Sequence, residues 1–186
     1  MTSKNTAVYG IYHNRAQAEH TVLTLLTAGF SNDDVSVLLP DSESTKDFAH
    51  ETNTKAPEGA TAGVAGGGAI GGTIGLLAGI GALAIPGVGP LIAAGPIMGA
   101  LAGLGVGGAI GGLIGALVGM GIPEYEAKRY EGRIKEGGIL LSVHCDTADD
   151  IHSAKELLKQ TGAQNISSSG EASADYPTVN KIAVHR

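Results

Sequence analysis

The residues with the greatest chemical reach in this chain are His144-Cys145-Asp146, an imidazole, a thiol and a carboxylate in succession. Such groups bind metal or activate a nucleophile when they converge on one point. In a strand, successive side chains leave opposite faces, so His144 and Cys145 are not expected to meet one ion. Cys145 reads as a small core residue near a strand end. His13, His20 and His50 lack partners at metal-type spacing, and His152 and His185 read as surface groups. Asp33-Asp34 and Asp149-Asp150 stand at or near element starts, where capping accounts for them. Two G-x-G-x-x-G matches begin at Gly66 and Gly103, and Glu124 follows the second at about the twenty-residue spacing of a ribose-binding acid. Neither match follows a strand, and no Lys lies between Lys55 and Lys128 to serve a phosphate loop. The expectation is a protein with no catalytic residue, metal site, cofactor or small-molecule substrate, and not an enzyme.

The elements around these residues fall into two populations. Gly59 to Pro123 contains no Asp, Glu, Lys or Arg, so all thirty charged residues lie in the flanks. In the first flank, Ala7–His13 predicts a strand. Asn14 predicts a helix cap with Gln17 in the capping-box position, and Ala18, Val22, Leu25 and Leu26 recur at helical spacing up to Gly29. Val35–Leu39 predicts a second strand, closed by Pro40. Beyond the insert, Pro123 opens a helix with Glu124 and Glu126 at its start, and Gly137-Gly138 ends it. Ile139–Cys145 predicts a strand with Ile139, Leu141, Val143 and Cys145 on one face. Thr147 then caps a helix that stops at Gly162, and Ile166–Gly170 forms a weak last strand. Without the insert and its exit helix, the order is β-α-β followed by β-α-β. This predicts an α+β, ferredoxin-like split βαβ globule interrupted by a long glycine-zipper helical hairpin. The expected divisions are 1–58, the first half of the globule and a polar linker; 59–122, the hairpin; 123–170, the second half; and 171–186, a flexible tail in which Lys181–Val184 would add an edge strand.

The zipper rests on spacing. Gly63, Gly67, Gly71, Gly75 and Gly79 recur every fourth residue, as do Gly95, Gly99, Gly103, Gly107, Gly111, Gly115 and Gly119. On a helix each series makes a bare stripe that lets another backbone approach closely. Gly67–Gly81 matches Gly107–Gly121 at eleven of fifteen positions, so the two arms form an internal repeat. Each glycine costs a helix about 0.8–1 kcal/mol against Ala, so neither arm is expected to be helical alone in water. Pro86, Gly87, Gly89, Pro90 and Pro96 are placed in the hairpin turn, and Tyr125 and Tyr130 are placed at a membrane interface.

The formal charge of -6 and the lack of a basic cluster exclude nucleic acid as a partner. One cysteine suits a reducing compartment, and Met1–Gly10 shows no signal-peptide core. The expected partners are further copies of the chain, as a homo-oligomer, and a lipid bilayer, with the globule on the cytoplasmic side. The alternatives are a soluble cytoplasmic homo-oligomer with pooled hairpins, or a ligand-binding regulatory module using the sheet.

Several stretches resemble a bacterial stress-protein group of heat-induced YflT-type and general stress protein-like domains, with low-temperature-induced relatives. They are VYGIYHNRAQAEHTVLTLLTAGFSNDDVSVLLPD, TKAPEGA, ALAIPGVGPLIAAGPIMGAL and GIPEYEAKRYEGRIKEGGILLSVH. The resemblance runs from Ala7 to about Gly170, and the Ala-Ile-Pro-Gly-Val-Gly-Pro turn is its most specific piece. It implies a stress context and carries no activity, catalytic residue or cofactor with it.

Overall fold

Ile139–Cys145 sends Ile139, Leu141, Val143 and Cys145 to one side and Leu140 to the other, and all five are buried. A strand of this kind must be covered on both faces. The computed structural model describes residues 6–41, 77, 81–85, 87–103 and 112–170, and provides that cover. The strands are β1 (Thr6–Tyr12), β2 (Val35–Pro40), β3 (Gly81–Ile85), β4 (Gly89–Ala94), β5 (Ile139–Cys145) and β6 (Gln164–Gly170). The helices are α1 (Arg15–Thr27), α2 (Pro96–Gly103), α3 (Gly112–Gly119), α4 (Glu124–Lys135) and α5 (Ala148–Gln160). Among the described residues the strands form one sheet in the order β3-β4-β2-β5-β1-β6, with every neighbouring pair antiparallel.

Local signals set the flanking elements. Asn14 accepts the Ala16 N–H at 2.8 Å to start α1. A reciprocal capping box forms at α5, where Thr147 and Asp150 each accept the other's backbone N–H. α1 and α5 cover one face of the sheet: Ala18, Val22 and Leu25 from α1 and Ala154 and Leu158 from α5 meet Val8, Val37, Leu141 and Val143.

The opposite face corrects the expected helical hairpin. At the centre of the uncharged segment the chain forms strands β3 and β4, and β4 pairs with β2 from Val37↔Ala94 to Pro40↔Leu91. The chain reverses at a turn closed by the Val88 N–H on the Ile85 carbonyl at 3.1 Å, and Gly87 there has φ +80. That φ is the third-position geometry of a type II turn, which a helix cannot continue. β4 takes the otherwise unpaired side of β2 and β3 pairs with β4, so both runs gain ladder hydrogen bonds in place of the glycine-weakened helix. α2 and α3 then pack beneath the sheet with α4. Ile97, Leu101, Leu113 and Leu117 join Tyr9, Ile11, Leu38, Leu91, Tyr130 and Leu140 in a second core. The described part of the apolar segment therefore shares the sheet and core of the flanks.

Gly95 shows how close this union is. Its φ is +79, and a Cβ there would lie 2.2 Å from the Val35 carbonyl oxygen and 2.9 Å from Ser36 Cα. The Ile97 N–H then donates to Ser36 Oγ at 3.1 Å. The glycine lets the start of α2 sit directly on the β2 backbone, so its contact is with a strand rather than with another helix. At the far end, Gly121 (φ +95) reverses the chain from α3 into α4. The Ile122 N–H bonds the Leu117 carbonyl and the Gly121 N–H bonds that of Val118.

Candidate functional site

The glycines expected to line helix contacts divide by position. Gly63, Gly67, Gly71, Gly75, Gly79, Gly107 and Gly111 lie outside the described residues. Gly99 stands on α2 and Gly103 ends it, while Gly115 and Gly119 stand on α3. The inward faces of these helices are apolar: Ile97 and Leu101 on α2, and Leu113, Ala116 and Leu117 on α3. Gly99, Gly112, Gly115 and Gly119 face outward and are exposed, beside Val118, which is 41% exposed. A Cβ at Gly99 would meet nothing within 4 Å. The structure thus places a bare, uncharged outer surface on α2 and α3.

The hairpin-turn residues are split as well. Gly87 lies in the β3–β4 turn, Gly89 and Pro90 begin β4, and Pro96 begins α2. Pro86 lies outside the described residues.

Polar chemistry gathers in two other places. A cleft of about 230 Å³ is lined by Phe30, Asp34, His144, Asp146, Asp150 and Ser153, among others. The His144 ring lies 3.4 Å from Asp146, while Cys145 points away into the core, its thiol toward the Val143 carbonyl. Asp34 accepts the Ser31 N–H at 2.8 Å and Asp150 accepts the Thr147 N–H at 2.9 Å, so both carboxylates serve a turn and a cap. No group of three or more His, Cys, Asp or Glu among the described residues is placed to hold a metal.

The second gathering joins α4 to β6. Glu126, 7% exposed, accepts the Ser167 hydroxyl at 2.7 Å and the Tyr125 hydroxyl at 2.8 Å. The Tyr130 hydroxyl lies 2.5 Å from Ser167 Oγ and donates to the Asn165 carbonyl at 3.1 Å. The Tyr130 ring sits 6.2 Å from that of Tyr9, and burial raises its phenol pKa above the ordinary value. Sequence reasoning missed this cluster. Glu126 has the same type and place as any helix-start acid, and nothing marks Ser167 within the run of three serines.

No curated protein and no solved structure matches the chain. Residues 7–84, which hold β1, α1, β2 and the start of β3, match the family model of the heat induced stress protein YflT domain, the family that the sequence resembles.

Proposed function

We propose that this is a non-enzymatic stress-response protein that works by self-association, its copies meeting through the outer faces of α2 and α3. The stress context comes from the YflT match over residues 7–84. The observation that carries self-association is the exposure of Gly99, Gly115 and Gly119 on two helices whose Ile97, Leu101, Leu113 and Leu117 are already buried in the second core. Each such glycine costs its helix about 0.8–1 kcal/mol against Ala. At Gly99 the fold gains nothing in return, since the space a Cβ would occupy is empty. Close approach of a second backbone offsets that cost.

The globule that carries this surface fits the ferredoxin-like reading. The order β2-β5-β1-β6, with α1 and α5 on one face, follows the split βαβ connectivity, and β3–β4 extends it beyond β2. Self-association is preferred over bilayer insertion for two reasons. No helix among the described residues is long and apolar enough to cross a membrane, and Gly81–Ile85 and Gly89–Ala94 are engaged in the sheet.

Sedimentation equilibrium of the full chain, with and without mild detergent, tests the reading. A mass several times 18.6 kDa in both conditions supports it. A single-copy mass at every concentration contradicts it, and association seen only with detergent favours the lipid alternative.

A further inference from the structure

β6 differs from every other strand in how it is held. Its sequence, QNISSSG, has one large apolar residue, Ile166, and is otherwise built of residues depleted in strands or lacking apolar bulk. It lies at an edge of the described sheet, and its register against β1 shifts between Tyr9 and Ile11. Asn165 has φ +52, a left-handed conformation uncommon outside glycine. Two buried polar atoms on this strand, Asn165 Nδ2 and Ser169 Oγ, have no hydrogen-bond partner among the described residues. Leaving such groups unmet opposes docking of the strand. The adjoining β1 is the reverse case, with Ala7, Val8, Tyr9, Ile11 and Tyr12 at most 1% exposed.

What fastens β6 on the α4 side is polar. The Ser167 hydroxyl donates to the buried Glu126 carboxylate, and the Tyr130 hydroxyl bonds the Asn165 carbonyl. A hydrogen bond to a carboxylate is about twice as strong as a neutral one. We propose that β6 is a latched edge strand: Glu126 and Tyr130 hold it through Ser167 and Asn165, and it leaves the sheet as a unit when that latch opens. Its departure bares the β1 edge, a row of unpaired backbone groups on a strongly strand-forming segment, which is a template for pairing with another strand. The latch is a conformational device distinct from the α2–α3 surface and lies on a different part of the sheet.

Hydrogen exchange on the full chain, resolved to single amides, tests this. β6 amides bonded to β1 are expected to exchange at least about tenfold faster than those of the β2–β5 ladder, as in local opening below the global limit. Ser167→Ala should speed β6 by a further factor of about ten to a hundred and leave the β2–β5 ladder unchanged. Ser167→Thr, which keeps the hydroxyl, should restore the wild-type pattern. Tyr130→Phe keeps the ring beside Tyr9 and should reproduce the selective effect should Ser167→Ala fold poorly. Equal exchange in β6 and β2–β5, no response in β6, or acceleration of all strands together would overturn the latch.

Discussion

At the scale of single residues, two glycines four positions apart have opposite roles. Gly95 is pressed against the β2 backbone with φ +79, and Gly99 faces open space. Gly95→Ala is therefore expected to destabilise the fold by about 2 kcal/mol or more, since strain and overlap add. Gly99→Ala, measured in the same denaturant titration, should raise single-copy stability by up to about 1 kcal/mol. Spacing alone puts both in one series, and only the turn between β4 and α2 separates them. Cys145 was legible as a core residue because strand alternation fixes its side. Glu126 was not, because its burial depends on Ser167 arriving from a strand forty-one residues away. Burial also raises the Tyr12 and Tyr130 phenols above 10.0, so the unfolded chain loses these protons first. Their contribution is complete below about pH 10 and is lost as pH rises through the folded values. The melting temperature should fall above that pH, less steeply in Tyr130→Phe. Parallel curves for the two proteins would refute the assignment.

At the scale of elements, caps, stops and apolar faces of the flanks were legible, since each depends on a few neighbouring residues. The β3–β4 hairpin was not. Its residues continue a four-residue glycine rhythm, and short apolar runs do not distinguish strand from helix by periodicity. Pairing with β2 decides the outcome, and that partner lies more than forty residues earlier. The helices that follow are expected to be structural as well as adhesive. Leu113 and Leu117 are fully buried in the second core. Leu113→Ala or Leu117→Ala should each cost about 2–5 kcal/mol in chemical denaturation. A loss below about 1 kcal/mol would mean that α3 is not part of the cooperative fold.

At the scale of the whole molecule, the uncharged segment supplies α2 and α3, which with α4 form the layer beneath the sheet, and also the exposed glycines of the outer surface. Its lack of charge is required on the inward faces of α2 and α3, where Ile97, Leu101, Leu113 and Leu117 are buried. The same requirement does not extend to the outward faces, and that excess motivates self-association. The most direct measurement compares particle mass for the wild type and a Gly99→Leu/Gly115→Leu double variant by light scattering in one buffer, with thermal unfolding recorded in parallel. Both positions are exposed, so the leucines leave the single-copy core intact while holding apposed backbones apart. The expected result is a multimeric wild type and a variant near 18.6 kDa that still unfolds cooperatively. A folded variant with the wild-type multimeric mass would contradict association through α2 and α3.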